Sequence, residues 1–389
     1  MPARSSAHPS QIDVSERTLR EVVEELAALE RPPCSPGERQ AAEVIAARFR
    51  RAGCRNVVME DEMAWGPWPP TLTGLGLTGV YAALLVLRKR RLKGSLLALA
   101  GLAGFLDEIE NGPRFLRKTV RTKKKTVNVV AEAGDPDGDR TLVVLAHHDA
   151  AQTGVIFDQT WARSLYERNP QRMGRSKFQV PQWWLGVAPA LMTVAAALTR
   201  RPSLARKSVG LAALGAGLVA DIARNPVVPG ANDNLSAVAS LLALAEALND
   251  NPPSGVRVLL VSCGAEESFQ EGIRGFMGRH ALELPPNKVS FLNLDTVGST
   301  DLVMLEGEGP VWMEDYTDPS FRDLVARSAR DAGVELERGI RARASTDGVI
   351  PSRAGYPTAT IISFMPWRMP GNYHQMSDVP ENLDYSSVT

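Results

Sequence analysis

The chain has 389 residues, and its 44 basic and 44 acidic side chains cancel to no net charge. That balance argues against a nucleic-acid binder working by counterion release over a basic face, and the composition is otherwise that of a globular protein large enough for one elaborated α/β domain or two to three smaller ones. Cys34, Cys54 and Cys263 are too few and too scattered for a disulfide framework or a thiolate zinc site. A Cys34–Cys54 bridge stays open at this level, and Cys263 reads as a small buried hydrophobe.

Residues 1–14 read as a loose tail with no apolar signal-peptide core. Residues 15–68 form the first part of the main domain and open with two helices. "RTLREVVEELAALE" has helical apolar spacing, and "SPGERQAAEVIAARFRRAG" offers Ser35 as N-cap, Pro36 at the first helical position, Glu38 to complete a capping box and Gly53 as the stop.

Two inserts, 69–112 and 179–224, break this pattern. In the first, "TLTGLGLTGVYAALLVL" and "GSLLALAGLAGFL" flank "RKRRLK"; in the second, "WWLGVAPALMTVAAALT" and "SVGLAALGAGLVA" flank "RRPSLARK". Each reads as apolar helix, basic turn, apolar helix. Runs this short also suit a buried helical pair in a soluble lid. All-round apolarity, glycine and alanine at close-packing positions such as Gly210, Ala213 and Gly217, and tryptophans at 65, 68, 183 and 184 favour membrane hairpins. The expectation is an integral membrane protein contacting the lipid bilayer through residues 71–106 and 183–220. Its orientation stays open, because "RFLRKTVRTKKK" opposes the two basic turns in the positive-inside rule.

The main domain resumes over 113–178 and 225–389. "TLVVLAHHDA", "VRVLLVSCGAEE", "VSFLNLDTVG" and "TATIISF" are continuous apolar runs of strand length, as expected for an α/β fold with a mainly parallel sheet flanked by helices. Ligands collect at the carboxyl ends of such strands, and three of these four runs end in metal-competent side chains: His147, His148 and Asp149; Glu266 and Glu267; Asp295. Asp233 precedes a helix in "PGANDNLSAVASLLALAEAL", where an ordinary N-cap is the plainer reading. His374 lies in a loop after the last strand. Adjacent carboxylates at 266 and 267 repel unless a cation lies between them, and two imidazoles with several carboxylates at one sheet edge suit a pair of zinc or similar divalent ions.

"HHD", "PGANDN", "GAEES", "NLDTVG" and "NYHQMSD", in that order, resemble the motifs of the di-zinc exopeptidases that include bacterial leucyl aminopeptidases, glutamate carboxypeptidases and glutaminyl cyclases. The resemblance covers most of the chain outside the tail and the hairpins. It implies two divalent metal ions, with His147, Asp233 and Asp295 on one, Asp233, Glu267 and His374 on the other, and Asp233 bridging. It further implies that Asp149 orients His147, that Glu266 is the general base, and that "RARASTDGVIPSRAGYP" lines a substrate pocket through Ser345 or Asp347. The implied activity is hydrolysis of terminal peptide bonds, foremost as an aminopeptidase on a peptide or aminoacyl substrate. The runners-up are a glutaminyl cyclase-like amide transferase and a metal-free receptor or scaffold. The two inserts and the stop at "LDYSSVT" depart from the family pattern. A helix-rich insert also offers an oligomer contact.

Overall fold

The computed structural model describes residues 15–177 and 183–389; the expected tail and the start of the second insert, through residue 182, lie outside them. Strands β1 (Arg55–Ala64), β2 (Lys124–Gly134), β3 (Arg140–His147), β4 (Val256–Cys263), β5 (Val289–Leu294), β6 (Asp301–Glu308), β7 (Glu314–Asp315), β8 (Glu337–Ala342) and β9 (Thr358–Phe364) form one sheet in the order β1-β2-β4-β3-β5-β9-β6-β7, with β8 on β6. The four central strands, β4-β3-β5-β9, are parallel, and they are the four apolar runs picked out in the sequence. Toward both edges β1 and β2 run antiparallel to their neighbours, and β6 runs antiparallel to β9 and β7 but parallel to β8, so the sheet is mixed around a parallel core. Their register does the positioning. His147 pairs with Cys263 and Leu145 with Asn293, which brings His147, the turn after Cys263 and Asp295 to one level at the carboxyl edge.

Helices α1 (Glu16–Ala27) and α2 (Pro36–Arg51) precede β1, and α3 (Pro69–Leu87), α4 (Arg91–Ile109) and the short α5 (Phe115–Val120) fill the connection to β2. Between β3 and β4 lie α6 (Thr160–Arg168), α7 (Pro170–Gly174), α8 (Trp184–Thr199), α9 (Pro202–Ile222) and α10 (Ser236–Asp250), and α11 (Glu271–His280) follows β4. Apolar faces of α1, α2 and α10 close one side of the sheet over Val144, Ala146 and Leu260; Ile273 and Phe276 of α11 close the other over Leu145 and Val261.

Ser35 caps α2 by accepting from the Glu38 amide, as its spacing predicts, but Glu38 does not complete a capping box. Its carboxylate accepts from the Cys34 amide, from the Thr126 hydroxyl and from the Ala265 amide. The first donor is local, four residues back, whereas Thr126 and Ala265 are buried donors that only the folded chain brings within reach. Cys34 and Cys54 are unpaired.

The two apolar hairpins pair with each other as a four-helix bundle, α3 on α9 and α4 on α8. Their turns share one end, where Val86, Ala196 and Ala205 cluster, and Trp68, Phe105 and Trp183 meet at the other. The α3–α9 approach is close: a Cβ on Gly76 would stand 2.8 Å from that of Ala216. At the base, Arg117 is fully buried and pairs with Glu108 of α4 at 2.7 Å and with Glu271 of α11 at 3.1 Å. It also donates to the Ser268 carbonyl. The bundle is thereby tied to the turn that follows β4. Removing one partner of such a buried network strands the others without compensation. Arg117→Ala is expected to cost about 3–5 kcal/mol, read as a lowered unfolding midpoint; an unchanged midpoint would show that the ion network does not hold the bundle base.

Candidate metal centre

The parallel register sets His147 at the end of β3, Glu266 and Glu267 in the turn after β4 and Asp295 just beyond β5. The loop before α10 adds Asp233, and the segment after β9 adds His374. His147 Nε2 stands 3.2 Å from Asp233 Oδ1 and 3.9 Å from Asp295 Oδ2. His374 Nε2 stands 3.2 Å from Asp233 Oδ2 and 3.1 Å from Glu267 Oε1. One carboxylate therefore offers its two oxygens to two separate imidazoles. Three donor triads result, His147–Asp233–Asp295, Asp233–Glu267–His374 and His147–Glu266–Glu267, each with its ligand atoms within 4.8 Å of one another, and the first two share Asp233. Asp233 lies before the first residue of α10 and does not cap it.

Supporting contacts fix each of these groups. Asp149 accepts from the amides of Glu266 and Glu267, both at 3.0 Å, while Oδ1 lies 3.4 Å from His147 Nδ1. It thus orders an imidazole and the two-glutamate turn together. Gln270 donates to Glu266 Oε1 at 2.7 Å and to the Ser345 carbonyl at 2.8 Å, leaving Glu266 Oε2 on the side of His147 at 4.0 Å. Asn232 binds the Gly298 amide and the Gly371 carbonyl, and Asn234 binds the Thr296 amide and the Leu294 carbonyl. The asparagines flanking Asp233 thus bolt its loop to the neighbouring ones. His148, the middle residue of its motif, points away and bonds Ser262.

Three supports escape the sequence. Arg31, fully buried, donates to the carbonyls of His148, Pro229 and Gly230 and so joins two of the site loops. Asp378 accepts from the amides of Asn232 and Asp233, and Glu38 holds the Ala265 amide. Only Asp378 leaves a trace, as the last residue of "NYHQMSD". Of the two pocket residues expected, Ser345 lines the cavity beside Glu266, whereas Asp347 is buried behind it. Burial holds Asp347 up at about 7 and sets it beside Cys263.

The charges are mismatched. Among the described residues no arginine or lysine pairs with Asp233, Glu266, Glu267 or Asp295. Burial, reinforced by Asp347, Glu267 and Asp295, holds the Glu266 carboxyl well above its usual range, and burial lifts Glu267 and Asp295 as well. Burial alone would depress His374, but Glu267 and Asp233 carry it to about 10, and Asp149 and Asp233 lift His147 in the same way. Asp233 is burdened by burial, yet its bonds to the two histidines take it below the usual carboxylate range. Among these side chains Asp233 Oδ2, Glu267 Oε1 and His374 Nε2 are buried and face one another at 3.1–3.2 Å without a well-aligned hydrogen bond. Buried, converging nitrogen and oxygen donors fit a divalent cation such as zinc.

This sheet, with these loops at its carboxyl edge, has the fold of metal-dependent peptidases. Residues 218–389 match the profile of peptidase family M28, a span that carries Asp233, Glu266, Glu267, Asp295 and His374 but not His147 or Asp149. A leucine aminopeptidase precursor from Bacteroides thetaiotaomicron is similar over 98% of this chain and 94% of its own, with a TM-score of 0.55 at 14% identity. A Zn-dependent exopeptidase from Parabacteroides distasonis is similar over 98% and 95%, with a TM-score of 0.53 at 15% identity. A glutaminyl cyclase from Fimbriiglobus ruber is similar over 98% and 95%, with a TM-score of 0.53 at 16% identity. Identities this low speak for the fold alone. No curated protein matches the chain.

Groups that orient a ligand from behind typically contribute 10–100-fold to metal affinity. Asp149→Asn keeps the shape but loses one of the two oxygens that hold the glutamate turn. Zinc affinity measured against a competing chelator is expected to fall within that range; unchanged affinity would remove Asp149 from the site's support.

Proposed function

We propose that the chain is a di-metal exopeptidase that hydrolyses a terminal amide bond, with His147, Asp233 and Asp295 holding one ion and Asp233, Glu267 and His374 the other. The observation that carries this reading is the division of Asp233's oxygens between two histidines, the geometry of a bridging ligand. Bound there, two divalent ions would lower the pKa of a water and draw electrons from the scissile carbonyl. The chain's own groups do the rest. Glu266, fixed through one oxygen by Gln270, takes the attacking water's proton and returns it to the amide nitrogen as the C–N bond breaks. Asp149 keeps His147 and the glutamate turn in place. Glu308 supports the aminopeptidase form: it is buried at the cavity wall beside Thr346 and Tyr316, and its carboxyl is of the type that holds a free α-ammonium. Glu266→Gln is expected to lower kcat by at least two orders of magnitude with metal content kept, whereas Asp233→Asn is expected to lose metal. Full activity in Glu266→Gln would reject the assigned base.

We also propose that the bundle lies in a lipid bilayer. Its outer faces present Leu77, Leu92, Leu96, Leu99, Leu198 and Leu214 to the surroundings, Leu92 and Leu198 being more than 70% exposed. α3 is long and apolar enough to cross a membrane, and its 19 residues span about 28 Å at 1.5 Å each, close to a hydrocarbon core of about 30 Å. Arg88, Lys89, Arg90, Arg200 and Arg201 crowd the shared end, where anionic headgroups would meet them. The protein is expected to stay with membranes through alkaline carbonate washing and leave with detergent; release by carbonate alone would contradict insertion.

A further inference from the structure

The cavity beside Glu266, Glu267 and His374 continues into the interior of the bundle, with walls from α3, α4, α8 and α9. Bundle interiors are normally filled to crystal-like density by large aliphatic side chains. Here Gly79, Gly101, Gly186 and Gly215 take that place. Gly186 is needed for packing, since a Cβ there would lie 2.0 Å from the Phe105 ring. Gly79 and Gly101 are different. An added Cβ would come into ordinary contact with Ala212 at 3.7 Å and Thr78 at 3.6 Å, respectively, so at these two glycines the cavity wall has room for a side chain to begin.

The space has a floor, a ceiling and a direction. Trp68 stacks on Phe269 at 5.3 Å beside the metal-site turn, and Ala82, Ala98 and Ala190 close together farther up the bundle. From Leu72 to Ala82 the rise is about 15 Å, the extended length of a chain of roughly a dozen carbons. Polar groups gather at the lower end, where Glu266, Glu267 and His374 line the cavity. A second, wider cleft lined by Asp233, Asp295, Glu308 and Trp367 reaches the same Glu266 and Glu267 from the side of the sheet. A bond cleaved at this junction has on one side a wide cleft whose carboxylates Asp233, Asp295 and Glu308 sit among apolar walls, and on the other a narrow slot lined by the bundle helices.

We infer that the slot receives a hydrocarbon chain of the substrate, an amino-acid amide bearing one linear chain of roughly a dozen carbons, a length set by the helical rise between Leu72 and Ala82. The inference rests on the exopeptidase reading above. The reaction adds water across the amide: the carbonyl carbon gains hydroxyl, the C–N bond breaks and the nitrogen gains the proton, with no oxidant or reductant.

The experiment uses zinc-loaded, detergent-solubilised full chain. Calorimetry on Glu266→Gln measures binding of leucyl-alkylamides and N-acyl-leucines of increasing chain length, and turnover of the same compounds is measured on wild type. Affinity is expected to rise about three- to fourfold per methylene up to the ceiling and then level off. Gly79→Leu or Gly101→Leu, built into the Glu266→Gln background, fills the slot and should weaken binding of the twelve-carbon probe at least tenfold relative to leucinamide. Gly74→Leu, on the outer face of α3 with open space around it, should leave that ratio unchanged. Preference for the alkylamide places the chain on the leaving amine, and preference for the N-acyl compound places it on the acyl group; either supports the slot. Chain-independent binding, or a ratio indifferent to both filling variants, overturns it. Chain-dependent binding without turnover of any probe, leucinamide included, would instead overturn the hydrolase reading and leave the slot standing.

Discussion

Everything at the carboxyl edge of the sheet depends on one constraint: carboxylates are buried together with too little positive charge among them. Asp233, Glu266, Glu267 and Asp295 share a volume with two imidazoles. Like charges at these separations cannot all ionise in a poorly solvated site, which is why Glu266 and Asp295 are driven far above the ordinary carboxylate range while both histidines are driven up. A cation on each side of Asp233 would relieve the repulsion, and the buried donor atoms already converge where such cations would lie.

The fold meets this constraint by overdetermining the loops. Parallel register alone levels His147 with Asp295. Most of what lies beyond it is hydrogen bonding to backbone: Asp149 to the glutamate turn, Asn232 and Asn234 to the loops around Asp295 and His374, Asp378 to the Asp233 loop, Arg31 to the carbonyls of two loops at once. Each is a buried polar side chain satisfied by a main-chain group, which suits a site whose geometry must persist against the repulsion of its own ligands. The Arg117–Glu108–Glu271 network carries the same rigidity to the base of the bundle, so the apolar insert and the glutamate turn are mechanically one unit.

Much of this was legible in the sequence because burial on both faces writes an unmistakable pattern. The central strands stand out as unbroken apolar runs, and the residues ending them are the ones the structure gathers. Strands β1, β6, β7 and β8 were not foreseen, being edge or near-edge elements that are half-buried, short or irregular. Glu38 shows the limit of local reasoning. Its spacing from Ser35 is that of a capping box, yet its partners come from the Cys34 amide and from residues 126 and 265. Arg31 left no signal at all, since a guanidinium that binds only carbonyls has no sequence partner to announce it. The apolar inserts were legible as two hairpins but not as one bundle, nor could their glycines be sorted into those that permit contact and those that leave room.

The central claim is that Asp233 bridges two ions. Anomalous diffraction from zinc-loaded crystals at the zinc edge tests it most directly. Two peaks about 3.5–4 Å apart, one among His147, Asp233 and Asp295 and the other among Asp233, Glu267 and His374, are the expected result. A single peak, with the other triad empty at saturating zinc, would contradict it.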